Sequence, residues 1–134
     1  MWLGPVLFIS INIVLWKYIG AVFVPEALAR SVFSVLPVLT DVENVIVANA
    51  AILYFGAYCA FAIFWSKLKP YFRSPFFAAI GLWLVNILIL FPILGRGILG
   101  YKFPQGWMAA SLPLLLPHWM FARGLQFQER RSWK

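Results

Sequence analysis

Residues 45–65 read VIVANAAILYFGAYCAFAIFW, an apolar run without a single charged side chain. A helix needs about 20 predominantly apolar residues to cross the hydrocarbon core of a bilayer. The run has that length, so we predict a membrane-spanning helix over 45–65 and place the rest of the chain around it.

Three further runs meet the same criterion, namely 2–24, 75–94 and 106–127. Short links join them, which favours antiparallel neighbours. The composition agrees, because 63% of the residues are hydrophobic and 11% are charged, whereas a soluble domain carries about 25% charged residues. We predict an all-α, polytopic membrane protein: one domain, residues 1–134, with four transmembrane helices.

The lysines and arginines predict the orientation of these helices. With four spans, one side of the membrane holds both termini and the link 66–74, and the other side holds the remaining two links. The first side carries Lys67, Lys69, Arg73, Arg123, Arg130, Arg131 and Lys134, and the second carries Arg30, Arg96 and Lys102. Because cytoplasmic loops are enriched in Lys and Arg, both termini are predicted to be cytoplasmic.

Residues 27–40, between the first two spans, are interrupted by Pro37 and are too polar at their ends to cross a membrane. Val32, Phe33, Val35 and Leu36 would share one apolar face of a helix. Such a helix could lie on the outer membrane surface, or it could pack against a partner subunit. The sequence leaves both alternatives open.

Gly95, Gly97 and Gly100 spell G-x-G-x-x-G at the end of the third span. A dinucleotide site would need a strand before this motif and an acidic residue at a suitable distance after it. Here a helix of membrane-spanning length precedes the motif, and the next carboxylate, Glu129, lies beyond another predicted span. The glycines instead predict a tight turn that caps the third helix, with Pro92 loosening its last turn. The exposed amides of this turn, together with Arg96, are candidates for binding an anionic lipid headgroup or a partner.

Lys17 is the only ammonium group inside a predicted span. An ionisable residue at membrane depth is a functional candidate, so Lys17 could contact lipid or a transported molecule. Its neighbours Trp16 and Tyr18 favour the interface, as do Trp65 and Trp107 at the ends of other spans. Snorkelling of the lysine stem to the outer interface is therefore the simpler explanation.

His118 is the only histidine, and it follows Pro113 and Pro117 in the fourth span. Each proline removes a backbone donor, so this helix is expected to bend. The imidazole could satisfy a freed carbonyl or an amide in the core, handle protons, or ligate a haem or a chlorophyll-type pigment from one side. A haem would need its second ligand from another chain.

Several function classes lack the residues they require. No Asp or Glu lies inside a predicted span, which argues against a carboxylate-driven proton or cation antiporter. No nucleophile has an identifiable base, so we expect no enzyme activity. There is no cluster of ligands for a metal. The net charge of +7 would suggest nucleic acid in a soluble protein, but here the cations act as topology signals, and we expect no nucleic-acid partner.

The second half of the chain resembles a group of uncharacterised small bacterial four-helix integral membrane proteins. The resemblance covers residues 75–127 and depends on Pro92, on the glycines of the turn, on His118 and on the stretch Phe121-Ala-Arg-Gly-Leu125. The group pattern has a histidine near the start of the second helix, where this chain has Asn44 or Asn49. The resemblance implies four helices and no particular activity.

These observations favour a non-catalytic accessory or stabilising subunit of a larger membrane complex, in the bacterial inner membrane or an equivalent energy-converting membrane. Gly56 and Ala60, one helical turn apart, would allow close packing with another helix. The partners would be lipid and other membrane subunits. Two alternatives remain: a pigment- or haem-binding subunit that uses His118, and a small transporter or lipid-binding protein that uses Lys17 or Arg96.

Overall fold

A computed structural model describes residues 2–35 and 43–131, whose regular secondary structure is entirely helical, with no strand among them. The helices are α1 (Leu3–Val14, extended by a π-helical segment Leu15–Ile19), α2 (Val24–Val35), α3 (Glu43–Ile63), α4 (Trp65–Leu68), α5 (Pro75–Val85, extended by a π-helical segment Asn86–Leu90), α6 (Phe91–Ile93), α7 (Gly106–Ser111) and α8 (Leu115–Arg131).

Two helical stretches are long and apolar enough to cross a membrane, Asn44–Ile63 and Pro75–Ile93. They match, to within two residues, the helices predicted over 45–65 and 75–94. A third stretch qualifies if Leu3–Ile19 and Val24–Ser31 are taken as one broken span. The fold is therefore all-α, with two or three helices of the kind that a membrane protein requires.

The first predicted span, 2–24, is broken near its end. The helix stops at Ile19 because Gly20 adopts a left-handed conformation with φ of 71°, which glycine tolerates without steric cost. The chain then turns, and α2 leaves at 76° to the first helix. The predicted surface helix over 27–40 corresponds in part to α2, although residues 36–40 lie outside the described part of the chain.

The fourth predicted span, 106–127, is divided into two helices. α7 ends at Ser111 and α8 begins at Leu115, so the interruption falls at Pro113, which cannot donate a backbone hydrogen bond. Residues 106–131 are not among the described stretches that are long and apolar enough to span. The expected bend is thus a break, and α8 continues four residues beyond the predicted end, to Arg131.

The closest helix contact joins α1 and α8, which run antiparallel. A Cβ placed on Gly124 would collide with the backbone of Gly4, and a Cβ on Gly4 would lie 3.2 Å from the carbonyl oxygen of Phe121. Small residues of this kind let two helix backbones approach within van der Waals distance. One helical turn after Gly4, Phe8 packs edge to face against Phe121, and both rings are fully buried.

Two polar contacts tie the ends of the helices together. The Ser31 hydroxyl lies 3.0 Å from the Ala27 carbonyl oxygen of its own helix and 3.2 Å from the Leu94 carbonyl oxygen, so its single hydrogen is shared between them and connects α2 to the end of α6. At the other end of the bundle, the Trp65 indole donates to Glu129 of α8 at 2.8 Å. Trp65 is only 2% exposed, so the interpretation of this residue as an interfacial anchor was wrong: it is a buried link between α4 and α8.

Candidate functional site

A buried polar cluster joins three helices in the middle of the bundle. Tyr54 and Tyr58 lie one turn apart on α3, Asn86 opens the π-helical segment after α5, and His118 lies in α8. The Tyr58 hydroxyl is 2.7 Å from Nε2 of His118, and Nδ2 of Asn86 is 2.8 Å from the same hydroxyl. Each of the four side chains is less than 9% exposed. We call this set the polar cluster.

The hydrogen bonds that link His118, Tyr58, Asn86 and Tyr54 each have an assignable donor and acceptor. Nδ1 of His118 lies 2.6 Å from the Leu114 carbonyl oxygen, which can only accept, so in the neutral imidazole the proton is on Nδ1. Nε2 is then an acceptor, and the Tyr58 hydroxyl donates to it. Asn86 donates in turn to Tyr58, and its Oδ1 accepts from Tyr54 at 3.1 Å. The orientation of the Asn86 amide is fixed because Nδ2 also donates to the Leu82 carbonyl.

The helix around Asn86 is wider than an α-helix. The Phe91 backbone amide bonds to the Asn86 carbonyl five residues earlier, which is the pattern of a π turn. Pro92 follows directly and cannot donate to the carbonyl of Leu88, so the regular ladder is interrupted here in any case. The loosened turn leaves Asn86 at the inner face of the helix, 4% exposed.

Aromatic rings enclose the polar cluster on the side of α1. Phe8 stacks on Tyr58 with ring centroids 3.8 Å apart, and it meets His118 edge-on at 5.0 Å. Phe121 meets Tyr58 edge-on at 5.4 Å. The hydrogen bonds are therefore shielded, and in a medium of low dielectric constant an unmade hydrogen bond costs more than in water.

The chemistry available to His118 is limited by these contacts. Both ring nitrogens are engaged and the residue is fully buried. A haem or a pigment would have to displace Tyr58 from Nε2 before the histidine could bind it. The adjacent groove between α3 and α5, about 240 Å³ in volume, is lined by Tyr54, Tyr58 and Asn86 among apolar side chains, but not by His118. The pigment hypothesis remains a prediction, and these hydrogen bonds argue against it. The arrangement is suited to holding three helices in register.

The glycine turn has the conformation that the sequence predicts. Gly95 has φ of 72°, its amide bonds to the Pro92 carbonyl, and the Arg96 amide bonds to the Phe91 carbonyl. These two bonds form a Schellman cap of the third span. Gly97 and Gly100 also have positive φ, and side chains at these positions would meet the Tyr101 ring and the Phe91 ring.

The remaining sequence-predicted site residues lie apart from the polar cluster. The Arg96 guanidinium is partly exposed and lies over the Phe103 ring at 5.2 Å. Lys17 is exposed in the last turn of the first helix, where a cation favours the negative end of the helix dipole. Neither residue contacts His118, so the structure does not assemble the predicted candidates into one site.

Tyr54 and Tyr58 were not predicted as site residues, because tyrosine was considered only as a residue of the membrane interface. A signal was present: the two tyrosines are spaced i, i+4, so they share one face of a span that has no charge of its own. Asn12, Asn49 and Asn86 are amides in three different helical stretches. Among the described residues only Asn86 of these three bonds to another helix, whereas Asn12 and Asn49 donate to carbonyls four residues earlier in their own helices.

The opposite face of α3 has a distinct character. Asn49, Leu53, Gly56 and Ala60 lie along one stripe of the helix and are all exposed. No atom would lie within 4 Å of a Cβ placed on Gly56. The Asn49 amide donates to the Val45 carbonyl at 2.9 Å, and its oxygen has no hydrogen-bond partner among the described residues. We call these four residues the open face of α3.

Comparison of the chain with protein-family models, with curated proteins and with solved structures gives no significant match.

Proposed function

We propose that the protein is a non-catalytic subunit of a larger membrane complex, and that the open face of α3 receives a transmembrane helix of another subunit. The observation that supports this proposal is the open face itself: Gly56 and Ala60 are exposed in the middle of a helix that is long and apolar enough to span.

Small residues favour helix association in lipid because they let backbones approach, whereas lipid alone places no such demand on a helix surface. The contact between Gly4 and Gly124 shows that this chain uses small residues in that way internally. The open face offers the same opportunity with nothing from the described chain above it.

The exposed amide of Asn49 is a second, independent argument for a partner helix. Its oxygen lacks a partner within the described chain, and an unsatisfied polar group in an apolar medium costs free energy. Asn49 precedes Gly56 by two helical turns on the same stripe. An amide or hydroxyl on a neighbouring transmembrane helix would satisfy this oxygen, typically with a gain of about 1 kcal/mol or less.

The proposal includes the topology predicted from the sequence: four spans, with both termini in the cytoplasm, in the bacterial inner membrane or an equivalent energy-converting membrane. In this arrangement the polar cluster is internal support. Tyr54, Tyr58, Asn86 and His118 form hydrogen bonds within the chain, which supports a structural role for them.

Native electrophoresis of gently solubilised membranes tests the proposal. We expect the chain to migrate in a large complex with other proteins, and Gly56→Leu to release it because the added side chain fills the open face. Gly81→Leu is the matched control: a Cβ at Gly81 also meets nothing within 4 Å, but this residue lies on α5. Migration of the wild-type chain as a monomer or a small homo-oligomer would refute the proposal, as would release by both variants alike.

A further inference from the structure

A cavity of about 260 Å³ lies where α2 crosses the end of the stretch Leu3–Ile19 and the end of the stretch Pro75–Ile93. α2 and the chain before it form one wall, and the segment after the glycine turn forms the other. Trp16 and Phe23, whose rings stack at 4.6 Å, contribute an aromatic wall, and Glu26, Arg30, Arg96 and Phe103 also line the cavity. It is separate from the polar cluster.

The charged groups of the cavity are unequally paired. Arg30 binds Glu26 at 2.6 Å within α2. Arg96 reaches the cavity from the opposite wall, where its guanidinium lies over Phe103, and no carboxylate of the described chain pairs with it. The Arg30 guanidinium is therefore neutralised by Glu26, whereas the Arg96 guanidinium has no carboxylate partner among the described residues. The cavity thus has a net positive charge, and Arg96 offers a planar donor that suits phosphate oxygens.

The position of the cavity indicates the source of the anion. It lies around the ends of two apolar helical stretches, near Ile19 and Ile93. In the four-span topology of the proposed function, these ends would be at the level of the lipid headgroups. Stacked aromatic rings at this level are typical of the membrane interface. Its volume is below the range of roughly 300–1,000 Å³ that is usual for pockets for drug-sized ligands.

We propose that this cavity binds the phosphate of an anionic lipid headgroup, with Arg96 as the principal donor. The proposal depends on the membrane placement in the proposed function, but it does not depend on a partner subunit. Glu26 limits the affinity, because its carboxylate occupies Arg30 and repels the incoming anion.

The test is a titration of the purified full chain in detergent with phosphatidylglycerol, followed by native mass spectrometry. We expect Arg96→Gln to weaken binding roughly tenfold, since a charge-assisted hydrogen bond to phosphate is lost. Lys102→Gln is the control: it removes a cation from the same end of the molecule, but Lys102 does not line the cavity. Circular dichroism checks that both variants are folded.

Glu26→Gln gives an effect of the opposite sign, which misfolding could not produce. It should tighten binding of phosphatidylglycerol by releasing Arg30. If an excess of inorganic phosphate competes with the lipid, the cavity recognises phosphate from either source, and if phosphate has no effect, it recognises the lipid. Equal weakening by Arg96→Gln and Lys102→Gln would overturn the proposal, and so would weaker binding in Glu26→Gln.

Discussion

Gly124 and Gly56 lie on two helices of the same bundle and have opposite surroundings. A side chain at Gly124 would collide with the backbone of α1, whereas a side chain at Gly56 would meet nothing within 4 Å. The first glycine is required by a contact that the chain makes with itself. The second has no such requirement, although in a helix interior glycine is less favourable than alanine by about 0.5–1 kcal/mol. The comparison indicates that α1 and α8 pack tightly against each other in the interior of the protein, and that the open face of α3 is an external surface.

The largest effect is expected for Gly124→Ala. The added methyl group has no space against Gly4, so α1 and α8 must separate, and such overpacking costs about 1–3 kcal/mol. Thermal unfolding in detergent measures the loss as a lower midpoint. Gly56→Ala is the paired variant: it should leave the midpoint unchanged or raise it. If both substitutions shifted the midpoint in the same direction, the comparison between the two glycines would fail.

A smaller loss is expected for Tyr58→Phe. The substitution leaves Nε2 of His118 without its donor and removes the acceptor of an Asn86 N–H, and a buried group left unsatisfied costs about 1–3 kcal/mol. Because the ring is retained, the stacking with Phe8 is kept, so the loss should lie near the lower end of that range. Tyr101→Phe, at a side chain that is 59% exposed, is the control and should unfold like the wild type. An unchanged midpoint for Tyr58→Phe would mean that the polar cluster does not hold the helices.

The smallest effect is expected for Asn49→Leu, and only in the assembled complex. Its amide bonds within its own helix, so the isolated chain should unfold as before, while association with the partner should weaken by about 0.6 kcal/mol. Asn49→Gln retains the amide and is the matched control. Quantitative co-purification from membranes measures the difference. A lower midpoint of the isolated chain would instead assign Asn49 to the interior of the bundle.

The sequence predicts those parts of the fold that depend on local composition. The spans over 45–65 and 75–94 follow from their length and apolarity alone, and the cap at Gly95 follows from glycine at the end of an apolar run. The break at Gly20 was missed because one glycine in an apolar run can either be tolerated within a helix or end it. The outcome depends on where the following segment packs, and here α2 packs against α3 and contacts the Leu94 carbonyl through Ser31.

The polar cluster and the contact at Gly4 were not predictable in the same way, because each requires the knowledge of which helices are neighbours. His118 was identified as a candidate, but its partner Tyr58 is 60 residues away in the sequence. Gly124 was noted within Phe121–Leu125 only as part of a resemblance. Nothing in the sequence indicates that Gly124 packs against Gly4 at the beginning of the chain.

Because the donor and the acceptor of each hydrogen bond from His118 to Tyr54 are fixed, exchange of the two tyrosine hydroxyl hydrogens with solvent is restricted. The Leu114 carbonyl fixes the proton of His118 on Nδ1, and this choice fixes the hydroxyl hydrogens of Tyr58 and then of Tyr54. Neither hydroxyl can rotate without breaking a hydrogen bond, and both side chains are buried. Replacement of these hydrogens by deuterium therefore requires the hydrogen bonds to break, so its rate reports how often the polar cluster opens.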